Sequence, residues 1–174
     1  VVGGMSQGGF LSLRLALTAP ERVRGLILLD TQAGPEDPEV APLYEGMIDE
    51  WVGTGPSDEL AAVTASIIIG DPDLSAIWTK RWQARPHEAL AQPGNTLMGR
   101  DDIWDRLDEI HVPALVVHGT ADAAIGMDKA ERLAAGLSGA DAVVQVEGGS
   151  HAANLTHPEA VNAAIETFLS GLPD

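Results

Sequence analysis

Val1-Val2-Gly3-Gly4-Met5-Ser6-Gln7-Gly8-Gly9-Phe10 opens the chain. The valines read as the tail of a buried strand. The glycines crowd a tight turn around one serine, and then Phe10, Leu13 and Leu17 recur at helical spacing. Pro20 closes that helix at Ala19. Val23–Asp30 follows, and its Leu26-Ile27-Leu28-Leu29 run shows no polar alternation. Continuous apolar runs of this length suit a strand covered on both faces of a parallel sheet. The opening is therefore strand, tight turn, helix, strand.

Outward from there the character changes. Prolines and acids cluster over Gly34–Pro42, and short helical patterns succeed one another. Leu43, Met47 and Trp51 form one stripe. Ser57 with Asp58 and Glu59 makes an N-terminal signal for a helix running towards Ile69, and Asp71-Pro72 starts another carrying Leu74, Ile77, Trp78 and Trp82. Residues 31–100 are expected to be a helical cap insertion lying over the sheet, between a catalytic core of 1–30 and its continuation over 101–174. In that continuation Ile103 and Leu107 suit a short helix, Pro113 introduces a strand at Ala114–His118, and Met127–Leu137 is helical. Another strand is expected at Ala142–Val146. A last helix over Pro158–Ser170 carries Val161, Ile165, Phe168 and Leu169 on its apolar face, and Thr156 with Glu159 has capping-box spacing. Strands alternating with helices indicate an α/β fold with a predominantly parallel sheet, whose ligands bind beyond the carboxyl ends of the strands. Ser6, Asp122 and His151 each follow an expected strand, at that edge.

Gly4-Met5-Ser6-Gln7-Gly8 matches G-x-S-x-G between a strand and a helix. A serine there sits in a strained turn that lifts its hydroxyl clear of the sheet, and glycines two residues to either side avoid collision. A hydroxyl needs a base to act as a nucleophile at neutral pH. His151, in Glu147-Gly148-Gly149-Ser150-His151-Ala152, is the candidate base, with Asp122 in His118-Gly119-Thr120-Ala121-Asp122 as the orienting acid. Taken singly, His151 reads as an ordinary packed histidine and Asp122 as a turn residue. Together they follow the chain order Ser, Asp, His that this architecture uses.

These stretches, with Pro20-Glu21-Arg22-Val23 leading into Leu28-Leu29-Asp30, resemble the α/β-hydrolase superfamily from its nucleophile elbow onward. The likeness is to its enol-lactonase, haloperoxidase-like and carboxylesterase members, and it covers the chain except the cap. It implies that Ser6 is acylated, that His151 acts as base and then acid, that Asp122 holds the imidazole tautomer, and that the Gln7 backbone amide is an oxyanion donor. It also implies a cofactor-free serine esterase or lactonase acting on a small, fairly apolar substrate. Carbon–carbon hydrolases and perhydrolases share the triad and stay open. So does a catalytically silent binding scaffold. The chain opens on Val1, mid-strand, so we expect a fragment lacking the family's N-terminal strands and the loop that carries the second oxyanion donor. It would need a chain supplying the missing half, or would self-associate through the exposed sheet edge as a homo-oligomer.

Other residues have plainer readings beside functional ones. Asp30 is a rival acid or a turn residue, and His118 orders the acid turn. Trp51, Trp78, Trp82 and Trp104 pack the cap, or Trp78 and Trp82 join Met5 in lining a substrate wall. Arg81 and Arg85 belong to a solvated face or anchor a substrate carboxylate. Gly126 replaces a proline common in relatives and loosens the acid loop. His87, His111 and His157 show no metal-ligand spacing, and no metal is expected. A formal charge of −16 with ten basic residues argues against nucleic acid and anionic membranes as partners. The absence of cysteine removes disulfides and thiol nucleophiles. A cytoplasmic setting is expected, on the condition that no leader preceded Val1.

Overall fold

The computed structural model describes residues 1–173. They divide into two compact units: residues 1–33 with those from 103 onward, and residues 34–102.

The first unit is built on a four-stranded parallel sheet in the order β1 (Val2–Met5), β2 (Leu26–Leu29), β3 (Ala114–Gly119), β4 (Val144–Val146). The register pairs Met5 with Leu29 and Leu29 with Val117, so β1 and β2 finish at one level and β3 runs two residues further. Side-chain alternation then sorts two cores. Leu26, Leu28, Ala114 and Val116 point to one face and pack with Leu13 and Ala16 of α1 (Gln7–Thr18) and Leu133 and Ala134 of α6 (Met127–Gly136). Leu29, Val117 and Val146 point to the other face, where Val161, Ala164 and Ile165 of α8 (Pro158–Gly171) meet them. The unbroken apolar runs at Leu26–Leu29 and Leu115–Val117 are thus explained by helices on both faces.

Several expectations need correction. The second strand begins at Leu26, because Pro20–Arg22 forms a 3₁₀ turn and ladder pairing starts only where Leu26 meets Val2. The fourth strand is confined to Val144–Val146, paired with Val117–Gly119. Trp104–Glu109 is a 3₁₀ turn. Trp104 belongs to the sheet unit, where it packs on the core beneath the Arg132 guanidinium, 4.3 Å from the ring centre. The Thr156/Glu159 capping box does not form. Thr156 ends the short helix α7 (Ala153–Thr156), its hydroxyl turns to the Ala152 carbonyl, and His157 holds the cap position of α8 with no side-chain bond. Leu169 is exposed rather than part of the buried strip of α8.

The second unit is helical: α2 (Ala41–Thr54), α3 (Asp58–Ile68), α4 (Pro72–Gln83) and α5 (Ala91–Met98). Ser57 and Asp71 accept hydrogen bonds from the Leu60 and Leu74 amides, so both N-caps are made by the residues that signalled them. Trp51, Trp78 and Trp82 form a cluster, with Trp82 6.0 Å from Trp51 and 6.2 Å from Trp78 between ring centres. Arg81 lies over Trp78. Near the two ends of this unit, Arg100 donates to the Gly34 carbonyl at 2.6 Å, the Leu97 carbonyl at 2.7 Å and the Glu36 carboxylate at 2.8 Å. The Arg100 and Glu36 side chains are both buried. No described helix is long and apolar enough to cross a membrane.

Candidate active site

Ser6 stands between β1 and α1 with φ 51° and ψ −118°, a backbone conformation that L side chains rarely adopt. The turn is held from both sides. The Ser6 amide donates to the Leu29 carbonyl at 2.9 Å, and the Thr31 hydroxyl donates to the Ser6 carbonyl at 2.7 Å. The glycines contribute unequally. A Cβ at Gly4 would lie 2.5 Å from the Gly8 backbone, whereas one at Gly8 would meet nothing within 4 Å. The expectation of matching constraints two residues either side of Ser6 is therefore corrected: the close approach requires glycine at 4 only. Met5 is half-buried and packs on the Leu29–Val117 cluster, and Gln7 opens α1, so its amide belongs to the positive end of that helix.

Asp122 follows β3 in a tight loop. One carboxylate oxygen accepts from the amides of Ala124 at 2.8 Å and Ile125 at 2.9 Å. The other lies 2.9 Å from His151 Nδ1. Burial works to raise this carboxyl, but its bond to His151, the nearby imidazole charge and the two amides outweigh burial and hold it below its ordinary 3.8. An ionised carboxylate only accepts, so Nδ1 of His151 carries the hydrogen and Nε2 is left as the basic nitrogen. His151 sits in the loop after β4, and this loop is tied to the acid loop. The Gly148 amide donates to the Thr120 hydroxyl at 2.8 Å, and the Ala121 amide donates to the Gly149 carbonyl at 2.9 Å. Gly126, at the cap of α6, has φ −68° and ψ 149°, which most residues adopt, so its backbone needs no glycine.

Asp30 directly follows β2 at φ 46° and is 1% exposed. It is not a simple turn residue. Its carboxylate accepts from the Gly119 amide at 2.8 Å and the Ala153 amide at 3.3 Å, across 89 and 123 residues of sequence. Burial pushes this carboxyl up from 3.8 to about 7, against the opposing pull of the Gly119 amide and the His151 charge. His118 is fully buried beside it. Its Nε2 donates to the Ile125 carbonyl at 2.9 Å, and Nδ1 faces Asp30 at 3.9 Å without a hydrogen-bond partner. Burial keeps this imidazole below its ordinary 6.5, hence neutral near pH 7. Atoms of Asp30, His118 and Asp122 come within 4.8 Å of one another, a spacing that could surround a cation. Their oxygens and His118 Nε2 already pair with amides, the Ile125 carbonyl and His151, so this donor set does not suit one.

Ser6, Asp122 and His151 thus all follow strands of the one sheet, and His151 and Asp122 are in direct contact. Trp78 and Trp82 belong to the helical unit. Sequence reasoning missed the reach of Asp30 and the bond from Thr31. The available signal was an acid placed directly after four apolar strand residues, at the ligand-binding edge.

Comparison with known proteins agrees with this architecture. A Caulobacter vibrioides protein named as a carbamate hydrolase is 31% identical over 98% of this chain and 65% of its own length. A pimeloyl-[acyl-carrier protein] methyl ester esterase of Aromatoleum aromaticum is 30% identical over 98% of the chain and 74% of its length. The solved structure of a thermophilic esterase from Thermogutta terrifontis superposes with a TM-score of 0.85 at 25% identity, covering 97% of this chain and 63% of that one. The chain therefore spans somewhat less than two thirds of the first of these relatives and of that esterase. Residues 1–164 match the Alpha/beta hydrolase family, and the chain belongs to it.

Proposed function

We propose that this chain carries the triad of a serine hydrolase that cleaves a small carboxylic ester or lactone through an acyl-enzyme. Ser6 is the nucleophile, His151 the base and then the acid, and Asp122 the group that fixes the imidazole. The observation that carries the reading is the 2.9 Å contact between Asp122 and His151 Nδ1, which leaves Nε2 as the nitrogen able to take a proton.

In the first step Ser6 Oγ bonds to the carbonyl carbon while its proton passes to His151 Nε2. The negative oxygen that develops is met by the Gln7 amide at the positive end of α1. Collapse breaks the bond to the leaving oxygen, which takes the proton from His151. Water then attacks the acyl-Ser6 ester, giving a proton to the same nitrogen, and a second collapse releases the acid and returns the proton to Ser6. The relatives named above act by name on a carbamate and a methyl ester, and both substrates present an acyl carbonyl to a nucleophile. Met5 beside the nucleophile is the proposed apolar contact for the acyl or ring portion.

Intact-mass measurement after exposure to a fluorophosphonate tests the reading, with Ser6→Ala alongside. A single adduct on the parent that is absent from Ser6→Ala is the expected result. An adduct retained in Ser6→Ala, or ester turnover undiminished by that change, removes Ser6 from the role.

A further inference from the structure

The end of β2 touches every loop that carries a triad residue. Leu29 accepts from the Ser6 amide and the Thr31 hydroxyl donates to the Ser6 carbonyl, so these two residues grip the serine turn from both sides. Between them, the Asp30 amide donates to the Val117 carbonyl at 3.0 Å, continuing the sheet ladder. The Asp30 carboxylate then reaches the Gly119 amide, three residues before Asp122, and the Ala153 amide, two residues after His151. Within a tripeptide, then, the serine turn, the acid loop and the histidine loop are all bonded to one short piece of chain, through its backbone and two of its side chains.

We propose that Asp30 and Thr31 are positioning residues, which set the Ser6, Asp122 and His151 loops in register through hydrogen bonds without touching the substrate. This rests on the serine-hydrolase reading above. Catalysis by a triad needs its members held within a fraction of an ångström, and misplacement of about 1 Å costs on the order of a hundredfold in rate. Above about pH 7, where it is ionised, the carboxylate suits this place because it offers two acceptor oxygens in a plane and no obligatory donor, which matches two converging amides. Burial disfavours its charge, so for stability alone an uncharged side chain would serve better. Asparagine has the same shape but turns an NH₂ group towards one of the two amides, leaving that amide without its acceptor. Valine at 31 keeps the shape and loses the bond to Ser6, and serine keeps the bond.

The test is hydrolysis of p-nitrophenyl acetate at about pH 8, where Asp30 is ionised, by the parent, Asp30→Asn, Thr31→Val, Thr31→Ser and Ser6→Ala. Rates are expressed per Ser6 site titrated to completion with a fluorophosphonate. Asp30→Asn and Thr31→Val are expected to keep their titratable sites and KM within about twofold, while kcat per site falls on the order of ten- to a hundredfold. Thr31→Ser is expected to stay within about threefold of the parent. A merely structural role would instead remove titratable sites and leave kcat per remaining site unchanged, and that result overturns the proposal. Should Asp30→Asn fail to fold, the Thr31→Val and Thr31→Ser pair still decides it, since equal kcat per site in both would overturn the grip on Ser6. Turnover retained in Ser6→Ala would remove the nucleophile assignment and this proposal together. Turnover lost there, with Asp30→Asn and Thr31→Val matching the parent, would overturn positioning alone.

Discussion

Asp30 is expected to make the stability of this protein fall as pH rises from about 4 to 7. Its carboxyl titrates at 3.8 in the unfolded chain and at about 7 in the fold, where burial is the largest cause. Across the interval between these values the folded state holds a proton that the unfolded state has lost, so each pH unit removes about 1.4 kcal/mol of stability. The stabilisation is fully present below the unfolded value and gone above the folded one. Over the whole interval, roughly three units, the change is about 4 kcal/mol, a large share of the 5–15 kcal/mol typical of a domain. Asp122 has the opposite sign, because its lowered carboxyl contributes stability that is lost only as pH falls below its ordinary 3.8. His118 is held neutral by burial, so its contribution rises with pH up to its ordinary 6.5. Subtracting Asp30→Asn from the parent removes both, to the extent that they do not depend on Asp30. Urea unfolding followed by circular dichroism at about pH 4.5 and about pH 7.5, at one ionic strength, is the assay. The parent is expected to lose about 3 kcal/mol relative to Asp30→Asn between these two conditions. A difference that stays constant within about 1 kcal/mol would instead mean that Asp30 is ionised throughout, with its two amides offsetting its burial.

Three further outcomes are expected. Asp122→Asn presents an NH₂ or a neutral oxygen to His151 Nδ1, so kcat for ester hydrolysis should fall on the order of 10³- to 10⁴-fold with little change in fold; a loss below tenfold, by the same rate measurement, contradicts the triad. Gly4→Ala places a methyl 2.5 Å from the Gly8 backbone and should lower stability by about 1–3 kcal/mol, whereas Gly8→Ala meets open space and should be neutral or slightly stabilising; thermal midpoints of the pair check this. Arg100→Ala leaves Glu36 buried without its partner and uncaps two carbonyls, so the helical unit should lose about 3–5 kcal/mol, read as earlier amide hydrogen exchange in residues 34–102 than in the sheet unit.

The features legible before folding were local ones. The strand-turn-helix at Val1–Leu17 could be read because glycine, serine and helical periodicity act over a few residues. The N-caps at Ser57 and Asp71 were legible for the same reason, each bond spanning three residues. The parallel α/β class followed from unbroken apolar runs at Leu26–Leu29 and Ala114–Val117, since only a strand covered on both faces is free of polar alternation. Ser6, Asp122 and His151 could be nominated because each lies at a strand's carboxyl end. Local rules also misled. Thr156 and Glu159 have capping-box spacing, yet the chain turns into a separate short helix that draws the Thr156 hydroxyl to Ala152. What Asp30 and Thr31 do emerged only once the chain was folded. Their partners lie 89 and 123 residues away for Asp30 and 25 residues away for Thr31, and the sheet register brings them together. Burial, which sets the Asp30 and His118 proton equilibria, belongs likewise to the assembled fold, because no neighbour in sequence removes water from a side chain.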